Sequence, residues 1–89
     1  MVEREHREFI DENTFLLVKT RFSDEGEELI LYCDFARFTD SGYETDVSLH
    51  DEELAGKTFL KLEKEDGKIK VTYEGKDGGQ MKEYTMTGQ

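Results

Sequence analysis

The spacing of polar and apolar positions changes several times along this chain, and each change marks an element. Over residues 2–12, VEREHREFIDE, the side chains of Val2, His6, Phe9 and Ile10 recur at helical spacing among charged neighbours. That spacing predicts a short N-terminal helix with a narrow apolar stripe. From Thr14 the period becomes two. The stretches Thr14–Phe22 (TFLLVKTRF) and Glu28–Phe38 (ELILYCDFARF) read as strands joined through Ser23-Asp24-Glu25-Gly26. Pairing across that loop sets Thr20 opposite Leu29, Val18 opposite Leu31 and Leu16 opposite Cys33, so one face is almost wholly apolar. The other face carries Phe15, Leu17, Ile30 and Tyr32, with Leu17 opposite Tyr32, and needs cover from the helix, a later strand or a second copy of the chain.

Tyr43–Leu49 alternates cleanly, with Tyr43, Thr45, Val47 and Leu49 inward and Glu44, Asp46 and Ser48 outward. The acids that follow Ser48, ending at Gly56, predict one capped helical turn near residues 49–55. Lys57–Glu65 and Lys68–Glu74 flank Asp66-Gly67, a strong hairpin signal. A two-residue turn there sets Leu60 opposite Tyr73, Leu62 opposite Val71, Glu63 opposite Lys70 and Glu65 opposite Lys68, matching apolar to apolar and charge to opposite charge. This register leaves Phe59 on the polar face with Lys61 and Glu63. A further turn at Asp77-Gly78 pairs Val71 with Tyr84 and Ile69 with Met86. The expected fold is mainly β (α+β): a five- or six-stranded antiparallel meander or half-barrel, with a short N-terminal helix and one helical turn, forming a single small domain over residues 1–89.

Composition narrows this picture. With 89 residues there is room for one core. The balance of 35% hydrophobic to 38% charged residues approaches that of disordered chains, but 6 Phe and 4 Tyr supply enough apolar area to fold. No apolar run is long enough to span a bilayer and the N-terminus lacks a signal-type apolar region, so a soluble, cytoplasmic protein is expected. The single cysteine, Cys33, cannot form an internal disulfide.

Charge adds the one functional pointer. The net charge is −10, and residues 1–53 hold 16 acids against 5 bases, whereas residues 54–89 hold 6 acids against 7 bases. Such a field repels nucleic acid and anionic membranes and attracts a basic protein, in particular a nucleic-acid-binding one. The acids form three clusters: Glu3/Glu5/Glu8/Asp11/Glu12, Asp24/Glu25/Glu27/Glu28, and Glu44/Asp46/Asp51/Glu52/Glu53. Carboxylates spaced along a strand and the next turn can imitate a row of phosphates. The third cluster, with Tyr43 and Phe59 as apolar anchors, is therefore the candidate partner-binding site. The plainer reading is that Glu44 and Asp46 are the wet face of a strand and that the later acids favour a helical turn.

Catalytic and metal chemistry find little footing. HDEELAG does not match the ligand spacing of a calcium loop, and His6 and His50 lie too far apart to suggest a zinc set. Cys33, inward between Leu31 and Phe35, behaves as a small hydrophobe rather than a reactive thiolate. No enzyme activity, metal or cofactor is expected. In size and composition the chain is similar to small acidic β-rich proteins of phages and mobile elements, among them nuclease inhibitors, a similarity that no specific motif carries. The leading expectation is thus a non-catalytic acidic interaction module that inhibits a basic partner by mimicking nucleic acid. The alternatives are a curled half-barrel holding a small molecule between Phe35, Phe38, Tyr43, Phe59, Tyr73 and Tyr84, and a homo-oligomer, such as a homodimer, joined through the Leu17/Ile30/Tyr32 face.

Overall fold

The computed structural model describes residues 2–45, 53–75 and 78–85. Within them the chain forms one antiparallel sheet of seven strands: β1 (Glu3–Phe9), β2 (Thr14–Phe22), β3 (Glu28–Thr39), β4 (Gly42–Thr45), β5 (Thr58–Glu65), β6 (Lys68–Gly75) and β7 (Gly78–Thr85). The spatial order is β1-β2-β3-β5-β6-β7, with β4 also paired to β3. Strand β3 is long enough to serve two neighbours along one edge. Its beginning meets β5 at Leu29 and Thr58, and its end pairs with β4 from Ala36 to Thr39.

The sheet curls so that the β1–β3 half packs against the β5–β7 half. Between them lies the main core, built from Leu16, Val18, Ile30, Cys33, Leu54, Phe59, Ile69, Val71 and Tyr73, with Ile10, Phe35, Leu62 and Tyr84 packed around it. The Phe35 and Tyr84 rings meet edge to face across the curl, 5.8 Å between centroids. Phe35, Phe59, Tyr73 and Tyr84 are thereby consumed as packing.

The N-terminal segment is a strand and not a helix. Residues 3–9 pair with 15–21 of β2 in unbroken register. Val2, His6 and Ile10 are four residues apart, a spacing that fits one helix face and one strand face equally well. Phe9 breaks the tie: on a strand it falls on the opposite face, where its ring lies 5.2 Å from that of Phe15, its partner in β2. No helix occurs among the described residues. Of the helical turn expected near residues 49–55, positions 49–52 lie outside the described residues, and residues 53–56 form turns and a bend.

Two β-bulges correct the expected registers. In β2–β3, Glu27 belongs to the loop, where its carbonyl accepts from the Ser23 N–H, so Phe22 faces Glu28 and Thr20 faces Ile30. One extra residue, Leu31, is then inserted, and beyond it Lys19 faces Tyr32, Val18 faces Cys33 and Leu16 faces Phe35. The bulge turns Ile30 into the main core and places Leu17 opposite Asp34 rather than Tyr32.

In β5–β6 the turn at Asp66-Gly67 and the pairs Leu62–Val71, Glu63–Lys70 and Glu65–Lys68 are as expected. Asp66 and Gly67 both have positive φ, as a type I′ turn requires. Past Lys61 the register slips, so that Phe59, not Leu60, faces Tyr73. The last turn is likewise displaced: Gly75 faces Gly78, which sets Val71 opposite Lys82 and Ile69 opposite Tyr84. Gly78, at φ +98°, occupies a conformation that side chains rarely adopt.

The second face of the β1–β4 half has its own small core of Phe15, Leu17 and Ala36, with Tyr32 and Tyr43 packed on it. This corrects the expectation of an exposed Leu17/Ile30/Tyr32 face. Leu17 and Ile30 are buried within one chain, on opposite faces of the sheet.

Beneath β1, the His6 ring stacks on Phe59 at 4.2 Å, and its Nε2 contacts the Glu28 carboxylate, which also accepts a 2.7 Å hydrogen bond from the buried Thr20 hydroxyl. Burial opposes the charge on Glu28. The hydrogen bonds from Thr20 and His6, with the charges of His6 and Arg4, outweigh it and hold the carboxyl below the usual glutamate range. A depressed folded-state pKa stabilises the fold fully above the unfolded-state value and is lost as pH falls through the folded one. The Glu28→Gln variant is therefore expected to unfold at lower urea than wild type at pH 7, with the gap closing below about pH 4.5. Urea midpoints measured from pH 7 to 3 check this, and a constant gap contradicts it.

Candidate interaction surface

Among the described residues, some acids of the first half are neutralised along the sheet and others gather at its two ends. On the second face, Glu3 pairs with Arg21 and Lys19, and Glu5 pairs with Arg7 and Lys19, forming a charge ladder across β1 and β2. Glu5 also accepts a 2.7 Å hydrogen bond from the Tyr43 hydroxyl. That bond, more than the neighbouring Arg7 and Lys19, pulls the Glu5 carboxyl below its ordinary range and pushes the Tyr43 phenol well above its own. These acids are structural staples. Glu28 lies beneath β1, and Asp24, Glu25 and Glu27 sit in the β2–β3 loop at one end of the sheet. An open cleft of about 300 Å³ lies beside that loop, lined by Arg21, Phe22, Ser23, Asp24, Glu25 and Leu29.

The opposite end is formed by the β1–β2 loop and the β3–β4 turn, held together by a 3.0 Å hydrogen bond from the Phe38 N–H to the Asn13 carbonyl. Asp11 shapes this loop by accepting 2.8 Å bonds from the N–H groups of Asn13 and Thr14, an Asx turn. Those backbone bonds hold its carboxyl below the ordinary range. Glu12, Asp40 and Glu44 stand around it, all exposed and without an ion-pair partner among the described residues. Glu44 faces Arg37, which in turn faces Thr14, so Glu44 and Thr14 are about 10 Å apart across one intervening strand.

At the centre of this end lie aromatic rings. Phe9 and Phe38 are 6.0 Å apart, and each packs at a tilt against the buried Phe15, at 5.2 and 5.0 Å. Tyr43 meets Phe15 edge to face at 5.8 Å. The Arg7 guanidinium lies over the rings of Phe15, Tyr43 and Phe38 at 4.9, 5.3 and 5.9 Å, closing the layer from the second face. Phe9 and Phe38 nevertheless remain 37% and 39% exposed.

The residues anticipated as a partner site are therefore dispersed. Tyr43 and Glu44 stand on β4 at this aromatic end. Glu53 lies elsewhere, its carboxylate 2.9 Å from Lys82 of β7 and 3.4 Å from the Tyr73 hydroxyl. Asp46, Asp51 and Glu52 lie outside the described residues. Phe59 is buried in the main core and is not an exposed contact, because the β5 bulge exchanges it with Leu60, which is 51% exposed. Sequence patterning does not single out Phe9 and Phe38 as an exposed pair, because it sets Phe9 on the apolar stripe of a helix and Phe38, the last residue of a strand, among aromatics that line a half-barrel. The signal lay in their positions, each beside a polar turn at a strand end.

No group of three or more His, Cys, Asp or Glu side chains placed to hold a metal ion occurs among the described residues. Cys33 is buried, with its Sγ 3.5 Å from the Tyr84 hydroxyl. No protein family, curated protein or solved structure matches the chain.

Proposed function

We propose that the protein is a non-catalytic interaction module that engages a basic protein through the end of the sheet formed by Phe9, Phe38, Glu12, Asp40 and Glu44. One observation carries this reading: two aromatic side chains, each more than a third exposed, lie at the end of the sheet whose turns carry Asp11, Glu12 and Asp40, with Glu44 on the opposite face of β4 and with Arg7, Arg37 and Lys64 as the basic groups nearby. Exposed carboxylates supply steering and reject acidic partners, while aromatic side chains supply lasting affinity once water is excluded. The partner class that fits is a basic surface with an apolar contact, such as the nucleic-acid-binding face of a protein. Occupying such a face would inhibit it. Among the described residues Glu3, Glu5, Glu28 and Glu53 are paired and Asp24, Glu25 and Glu27 stand at the far end, so competition at a basic surface is favoured over imitation of a long phosphate row.

The experiment is capture of partners from the native host by the immobilised wild-type protein and by the Phe9→Ser/Phe38→Ser variant. The expected partner is basic, elutes as salt rises, is displaced by added nucleic acid and is lost from the folded variant. Capture that is indifferent to both salt and the two substitutions overturns the reading.

A further inference from the structure

Strand β1 is an edge. The Phe22 N–H bonds to the Val2 carbonyl and the Ile10 N–H to the Thr14 carbonyl, so the even-numbered residues of β1 direct their backbone groups at β2. The N–H and C=O groups of Glu3, Glu5, Arg7 and Phe9 consequently point away from the sheet. Among the described residues only one group meets them: Lys64 Nζ donates to the Phe9 carbonyl at 3.1 Å, at the end of the strand. Charges along an edge ordinarily serve to keep other strands off. Here their order does something more specific.

We infer that β1 pairs antiparallel with β1 of a second copy about a two-fold axis through His6, extending the sheet across a homodimer. In that register Arg4 faces Glu8 of the other copy and Glu5 faces its Arg7, and the symmetry doubles each pair, so four opposite-charge pairs form. Pairing must join residues of the same face, so the neighbouring registers are displaced by two. One sets Glu5 against Glu5 and the other sets Arg7 against Arg7. The favoured register also joins the outward-pointing backbone groups of Glu5 to those of Arg7 and those of Glu3 to those of Phe9, as a ladder requires.

A second observation points the same way. Within one chain, Glu3 and Glu5 are ion-paired with Arg7, Lys19 and Arg21. Arg4 and Glu8 have no ion-pair partner among the described residues, and the Arg4 guanidinium rests over the Phe22 ring at 5.4 Å. Neither side chain is held in an ion pair within the described residues, although the Arg4 charge also favours the ionised Glu28 carboxylate, and the dimer brings the two together. A single strand pair buries a small area, so the dimer is weak, dissociating at roughly micromolar concentration or above.

Sedimentation equilibrium of the full chain at 0.15 M salt tests the inference, because screening there removes the long-range repulsion of two acidic molecules but not contact pairs. The expected result is a mass that rises toward twice that of the chain with concentration. Arg4→Glu alone and Glu8→Arg alone, each checked for folding by circular dichroism, should raise the dissociation constant about tenfold or more. The double variant Arg4→Glu/Glu8→Arg, which restores opposite charges across the axis, should recover dimerisation. Amide exchange of wild type gives a readout that no variant can confound: the N–H groups of Glu3, Glu5 and Arg7 should gain protection as concentration rises. A wild-type chain that stays monomeric, a dimer indifferent to the single reversals, a folded double variant as weak as the singles, or exchange at these amides that is independent of concentration overturns it.

Discussion

Phe15→Ala is expected to cost about 3–5 kcal/mol of folding stability, the range for truncating a fully buried aromatic side chain. Phe15 is inaccessible to solvent and is the hub of the second core, touching the rings of Phe9, Phe38 and Tyr43 and lying under the Arg7 guanidinium. Alanine would leave a cavity that none of these neighbours can fill without giving up its other contacts. Phe9 and Phe38 are already partly in solvent, and Tyr43 is tethered to Glu5 by its hydroxyl. In a domain of this size such a loss lowers the melting temperature by roughly 15 °C or more, from a total stability of only about 5–15 kcal/mol. Thermal unfolding followed by circular dichroism measures it. A fall of a few degrees would mean that the second face is not a packed layer.

Phe59→Ala and Leu60→Ala should differ sharply although the two residues are adjacent. Phe59 lies in the main core, stacked on His6 and facing Tyr73, so its truncation should cost about 3–5 kcal/mol. Leu60 occupies the bulge with half its surface in water, and its truncation should cost less than about 0.5 kcal/mol. Without the bulge the two values exchange. Urea unfolding of the two variants therefore tests the register of β5 directly. Equal losses, or a larger loss at Leu60, would restore the regular alternation and return Phe59 to the surface.

That exchange shows where the chain is legible. Alternation locates strands β2, β3, β5 and β6 to within a residue or two, and Asp66-Gly67 sets its hairpin register, because turn chemistry and charge pairing agree there. Bulges are different. An extra residue at Leu31 or Leu60 is favoured only once the opposite half of the sheet offers a pocket for Ile30 or Phe59, a tertiary contribution that no local pattern contains. Strand β1 was misread for a related reason: an edge strand with charges on both faces has no alternation to display, and its apolar positions fit a helix as well. The acidic surplus of the first half was plain, but not its division into neutralised rungs and unpaired ends. That division depends on which base lies one strand away, as Lys19 and Arg21 do for Glu3, whereas Glu44 faces only Arg37.

The most direct measurement is a titration of the isotopically labelled protein with an oligoarginine peptide, followed by backbone amide chemical shifts. Among the described residues two acidic ends are available to a basic ligand, and one of them also holds exposed phenylalanine rings. Shift changes should centre on Phe9, Glu12, Phe38, Asp40 and Glu44, should weaken as salt rises, and should be reduced in the Phe9→Ser/Phe38→Ser variant. Changes centred instead on Asp24, Glu25 and Glu27, or spread evenly over every acidic residue, would contradict a partner site at the aromatic end of the sheet.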